Sequence, residues 1–187
     1  MEAISKTSKI EKIIKLTLIT IVGTILITIS AKVKIPFYPV PMTMQTFGIL
    51  LIGITLGYRI GLATVALYLF EGIIGLPVFA SSPEKGIGMA YFIGPTMGYL
   101  IGFLVAVYFA GLFKYDKGLI NTFFKLIFSV SFIYILGLIW LGTLIGWNKP
   151  IFKLGAEPFL LAELFKMLLL LFLTPTLLKA KKLIKII

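Results

Sequence analysis

The stretch Gly75-Leu-Pro-Val-Phe-Ala-Ser-Ser-Pro-Glu-Lys-Gly-Ile-Gly-Met-Ala-Tyr-Phe-Ile-Gly-Pro-Thr-Met-Gly-Tyr-Leu-Ile-Gly-Phe103 lies between long apolar runs and resembles neither. It is dense in Gly and Pro and carries two charges. A membrane protein tolerates such irregular backbone only at the water surface, or packed on protein around a cavity. The stretch then enters Gly94, Gly98 and Gly102, whose four-residue spacing places three glycines on one helix face. A bare face of that kind approaches either a second helix or a ligand. Loop and thinned face together predict a lid and a wall for a bound molecule.

The surrounding chain supplies the solvent. Of 187 residues, 59% are hydrophobic and only 13% charged, and the mean hydropathy is +1.09. A water-soluble domain could not cover itself with so little charge, so the composition predicts an all-α integral membrane protein. At roughly 20 apolar residues per helical span, the chain accommodates a compact bundle of six transmembrane helices with irregular outer-face loops. The expected spans are residues 13–31, 43–57, 60–75, 94–113, 122–146 and 159–178, in a single membrane domain over 1–187.

Each span carries its own signals. The first follows a lysine-rich start, as a signal peptide would, but its apolar run is long, lacks an Ala-x-Ala site and is followed by more membrane. Thr20, Thr24 and Thr28 form a stripe beside Gly23, suited either to close helix contact or to bonds back to the preceding turn. Pro36, Pro39 and Pro41 hold the next loop extended. Thr43 and Gln45 follow, where the chain re-enters the membrane. A buried Gln there needs a partner, either a neighbouring helix or a ligand. Gly57-Tyr-Arg-Ile-Gly61 reads as a tight turn, and Glu71 stands within a turn of the exit of span 3. Trp140 and Trp147 are expected in the interfacial belt.

Charge sets the orientation. The net charge is +11, yet the lysines sit at chain ends and in short loops, not on an aromatic-interleaved patch, so nucleic acid is not an expected partner. Alternate loops divide Lys and Arg twelve against five, with Lys166 inside span 6. The positive-inside rule then places both termini in the cytoplasm of a cell membrane, inner or plasma. The Pro-rich loop, the loop at 75–93 and the Trp147 loop all fall on the outer face, above Glu71, Glu163 and Lys166.

Glu163 and Lys166 are three residues apart and share a helix face. They either neutralise each other or offer a carboxylate acceptor beside an ammonium donor. A neutral cyclic urea, with two N–H donors flanking a carbonyl, matches such a pair, and a substrate carboxylate could use the Lys. Aromatic side chains (Phe37, Tyr38, Tyr91, Phe92, Tyr99) and the backbone at Gly98 are available as walls. There is no cysteine or histidine and no P-loop, and no nucleophile has a companion base. The expectation is a binding pocket, not a reactive centre, with no cofactor, no metal and no energy source of its own.

Residues 35–46 (Ile-Pro-Phe-Tyr-Pro-Val-Pro-Met-Thr-Met-Gln-Thr), 67–72 (Leu-Tyr-Leu-Phe-Glu-Gly), 75–80 (Gly-Leu-Pro-Val-Phe-Ala), 83–88 (Pro-Glu-Lys-Gly-Ile-Gly) and 94–103 (Gly-Pro-Thr-Met-Gly-Tyr-Leu-Ile-Gly-Phe), in that order, resemble the BioY family. These are biotin-binding S components of energy-coupling factor (ECF) transporters. The resemblance spans about residues 35–166 and implies six helices, biotin captured on the outer side, a transmembrane coupling protein and two cytoplasmic ATPases. The family's Gly-Asp-x-x-Lys on span 6, whose Asp and Lys contact biotin, stands here as Ala162-Glu163-Leu-Phe-Lys166. Met97 stands where family members usually carry Gly. The candidate ligand-binding set is Glu163, Lys166, Tyr99, Gln45, Thr43, Ser82, Gly98 and Glu71, with no catalytic residue. The alternative function is a small membrane enzyme acting on a lipid or isoprenoid through a carboxylate such as Glu71 or Glu163.

Overall fold

The computed structural model describes residues 2–184, with side chains described for residues 10–179. The side chains of Lys6, Lys9, Lys181 and Lys182, and Lys185 altogether, fall outside those limits. The chain runs α1 (Glu2–Lys32), β1 (Lys34–Ile35), β2 (Met42–Thr43), α2 (Gln45–Ile73), α3 (Gly88–Phe92), α4 (Met97–Leu112), α5 (Gly118–Ile145) and α6 (Ile151–Gly155). A 3-10 turn (Glu157–Phe159) then leads into α7 (Leu160–Ile184).

By length and composition, Ile10–Lys32, Gln45–Ile73, Gly118–Ile145 and Ile151–Lys179 are each able to cross a membrane, and Met97–Leu112 is a shorter apolar helix. Gln45–Ile73 is not one rod. Gly57 has φ 77° and ψ 172°, a conformation open to glycine because an L side chain would clash. The chain doubles back there. A Cβ on Gly61 would stand 3.7 Å from the Cα of Gly53, whereas eight residues of straight helix span about 12 Å. Spans 2 and 3 are therefore a helical hairpin, and the bundle has the six apolar helices that hydropathy predicts.

Helix α4 is the hub, packed on one side by α2 and on the other by α5. The glycine face explains the second contact. A Cβ on Gly102 would lie 2.6 Å from the Cα of Ile133, and one on Gly98 would collide with the Leu136 carbonyl. Gly94 precedes the helix, because Pro95 delays its start to Met97, and its carbonyl accepts the indole N–H of Trp140 at 2.8 Å. Gly98 and Gly102 thus face α5, whereas a Cβ on Gly94 would meet the Tyr91 carbonyl.

Two apolar clusters fill the bundle. Leu50, Ile54, Ala110, Leu126, Val130 and Leu170 pack the half away from the long loops. In the other half Phe79 drops from the 75–88 loop into the core, 1% exposed, edge-on to Tyr68 and stacked on Tyr91 at 5.1 Å. The loop is held by its own apolar plug.

The three long loops meet at one end. The β1–β2 hairpin pairs Lys34 with Thr43 and Ile35 with Met42, and its tip includes a cis Tyr38–Pro39 bond. Phe37 packs edge-on against Phe159 at 5.7 Å. Lys34 forms an ion pair with Glu84 at 2.7 Å. Lys32 donates to the Phe79 and Ser82 carbonyls at 2.8 and 2.7 Å, and Lys85 sits over the Tyr38 ring at 5.7 Å.

Candidate ligand site

Beneath this junction lies a narrow, partly open cleft. Its walls come from Met42 and Thr43 of β2, Gln45 and Thr46 at the start of α2, Ala80, Tyr91, Tyr99 and Phe103, Tyr134 of α5, and Phe159 and Glu163 at the head of α7. The free volume is about 50 Å³, whereas pockets that hold small organic ligands measure roughly 300–1,000 Å³. In this conformation the cleft has less room than such a ligand needs.

Glu163 is the charged side chain of the cleft wall; its ion-pair partner Lys166 lies behind it and does not line the cleft. Glu163 is 4% exposed and Lys166 8%, and their side chains meet at 2.6 Å. The i, i+3 spacing on α7 puts both on the face towards α2. The Lys166 ammonium also donates to the Thr43 carbonyl at 2.6 Å and to the Thr46 hydroxyl at 3.0 Å. Thr46 in turn donates to Glu163 Oε1 at 2.9 Å. The three donors of the ammonium are thereby used within the protein.

Glu163 Oε2 is different. It is buried without a hydrogen-bond partner. The Tyr134 hydroxyl lies within hydrogen-bonding reach of the carboxylate, so Oε2 has a neighbouring donor but no bond of good geometry. An acceptor left unsatisfied costs about 1–3 kcal/mol, so Oε2 favours a donor, brought either by a small turn of the Tyr134 hydroxyl or by a ligand in the cleft.

The other expected residues divide. Tyr99 lines the cleft, with its hydroxyl anchored on the Gly155 carbonyl at 2.8 Å. Gln45 lines it too, 4% exposed, donating to the Tyr68 hydroxyl at 2.8 Å and accepting from Thr43 at 3.2 Å. Ser82 is buried beside the cleft wall but spends its hydroxyl on the Phe79 carbonyl at 2.9 Å. Gly98 is covered by α5. Glu71 points to α1, where the Thr24 hydroxyl donates to it at 3.1 Å. In the threonine stripe, Thr20 and Thr28 bond back along α1, and buried Thr24 shares its one hydroxyl proton between the Ile21 carbonyl at 2.9 Å and Glu71.

Three further residues belong to this site. Thr46 bridges the ion pair, and its place one residue after Gln45 was the available signal. Tyr134 carried none, since it lies in an apolar run. Tyr91, available by sequence only as an aromatic wall, accepts the Ser81 N–H at 3.2 Å and keeps its own proton to donate.

Known proteins resemble this chain in sequence and in fold. The family model described as the BioY family matches residues 4–183. A probable biotin transporter BioY from Pyrococcus horikoshii is 35% identical over 141 residues, 75% of this chain and 82% of the relative. The biotin transporter BioY of Thermotoga maritima is 34% identical over 145 residues, 77% and 84% of the two chains. Among solved structures, the S component for biotin from an ECF-type ABC transporter superposes with a TM-score of 0.75 at 26% identity, covering 90% of this chain and 93% of the other. The chain belongs to the BioY family.

Proposed function

We propose that the chain is the biotin-capturing S component of an ECF-type vitamin transporter and that biotin is held in the cleft above Glu163. The observation that supports this most is the buried, unpartnered Glu163 Oε2 at the cleft wall. A cyclic urea supplies an N–H to this oxygen, the Tyr91 hydroxyl can donate to the urea carbonyl, and the apolar thioether ring of biotin matches Phe103, Phe159 and Tyr99. Lys166 acts as a positioning residue: it holds Glu163, Thr46 and strand β2 in register. A lipid- or isoprenoid-directed enzyme is not favoured, because the related proteins are biotin transporters.

The whole chain works as a single membrane domain with both termini cytoplasmic, in the inner or plasma membrane. Energy comes from a transmembrane coupling protein and two cytoplasmic ATPases. The hairpin and the 75–88 loop form the lid, tied by Lys34–Glu84 and by the Lys32 bonds. Thermal unfolding of the purified chain tests the ligand. A ligand at 100 times its Kd adds about 2.7 kcal/mol, so biotin should raise Tm by several degrees while thiamine or riboflavin leaves it fixed. An unmoved Tm with biotin in excess overturns the proposal.

A further inference from the structure

A larger hollow lies on the other side of strand β2. It is a groove of about 430 Å³ between the hairpin and α7, lined by Val33, Ile35, Met44, Ala162, Phe165 and Leu169, with Lys34 at one end. Its rim is open: Val33 and Ile35 are each 56% exposed, Phe165 65% and Leu169 49%. Both flanking helices are apolar enough to cross a membrane, so these side chains face hydrocarbon.

Such a hollow is neither wet nor empty. Water needs two to four polar partners, and the groove wall is almost wholly apolar. An unfilled apolar surface forfeits its dispersion contacts. The dimensions point to one occupant. From Ala162 to Leu169 the groove descends about 10 Å along α7, at 1.5 Å per residue, starting from the loop end of the helix. Lys34 stands two residues beyond the end of the apolar helix α1, beside Lys32 and Lys85, which leave the group around Glu84 with a net positive charge. The Lys34 ammonium gives one bond to Glu84 at 2.7 Å, and an ammonium has three donors.

We propose that an acyl chain of an outer-leaflet phospholipid occupies this groove, with its phosphate diester held by Lys34. Met42 and Thr43 line both the groove and the ligand cleft, and Lys166 lines the groove while bonding Glu163. A seated chain therefore braces β2 and the ion pair from the bilayer side. The inference stands on membrane embedding and not on the identity of the ligand.

Photo-crosslinking in lipid nanodiscs tests it. The full chain is reconstituted in phosphatidylcholine and phosphatidylglycerol, with a phosphatidylglycerol analogue carrying a diazirine in the middle of one acyl chain. Adducts mapped by mass spectrometry should concentrate on residues 33–44 and 162–169. Ala162→Phe, which fills the groove, should cut those adducts several-fold and leave labelling at exposed Ile135 and Ile139 of α5 unchanged. Val33→Trp fills the groove from the opposite wall and replaces that variant if it melts early. Adducts spread evenly over exposed apolar surface, or groove adducts indifferent to both fillings, overturn the proposal. So does a dimer trapped by a disulfide at Phe165→Cys, which would assign the groove to a second copy.

Discussion

Removing the charge on Glu163 separates a structural ion pair from a ligand-binding one. In Glu163→Gln the Lys166 ammonium keeps its bonds to the Thr43 carbonyl and Thr46 hydroxyl but loses its anion at 2.6 Å. In Lys166→Met the carboxylate is left buried without a cation, facing the Thr46 and Tyr134 hydroxyls. Breaking one side of a buried pair costs about 3–5 kcal/mol, so each single variant should melt well below wild type. The double variant leaves no net buried charge and should regain most of that loss.

Affinity behaves otherwise. A hydrogen bond to a charged group contributes about 1.5–3 kcal/mol, against about 0.5–1.5 for a neutral one. Glu163→Gln should therefore weaken biotin roughly 5- to 10-fold and Glu163→Ala about 10- to 150-fold, at 1.4 kcal/mol per decade. The double variant should bind no better than Glu163→Gln alone. Calorimetric titration beside a melting curve on the same preparation reads both quantities. Near-wild-type affinity in a folded double variant refutes the placement of ligand at this pair.

Further outcomes follow from the same geometry. Cysteines at Lys117 and Lys149 of this Cys-free chain should label with an impermeant thiol reagent from opposite sides of the membrane; same-side labelling removes the two-faced topology. The Lys34 ammonium bonded to Glu84 holds that carboxyl below the usual carboxylate range. The ion pair is thus fully formed above the unfolded-state value and is lost as pH falls through the lower folded-state value. Protease cutting within residues 80–88 should accelerate on acidification, and Glu84→Gln should reproduce this at neutral pH; cutting rates independent of both would make the pair incidental. Gly102→Ala places a Cβ 2.6 Å from the Ile133 Cα and should cost about 1–3 kcal/mol by overpacking, seen as a lower Tm. An unchanged Tm would mean that α4 and α5 separate freely.

The bundle was legible because a bilayer leaves few options for an apolar chain, and Gly57 marked the hairpin by residue type alone. Glu163 with Lys166 was legible for a similar reason: two charges at i, i+3 deep in a span must meet something. Direction was harder. A glycine face admits a helix as readily as a ligand, and Gly98 turned out to carry a helix. Glu71 and Tyr68 are three residues apart, yet Tyr68 reaches Gln45 while Glu71 bonds Thr24 of α1. Only packing decides which neighbour each one meets. Tyr134 left no mark in sequence, since its role depends on α5 lying across the cleft.

The central claim is that this cleft captures biotin by itself, and equilibrium titration of the purified full chain with biotin tests it most directly. The account predicts saturable binding at one biotin per chain without any ATPase present, competed by desthiobiotin, which keeps the cyclic urea, and weakened by Glu163→Ala in folded protein. No saturable binding by folded wild-type chain, or binding indifferent to Glu163→Ala, would contradict it.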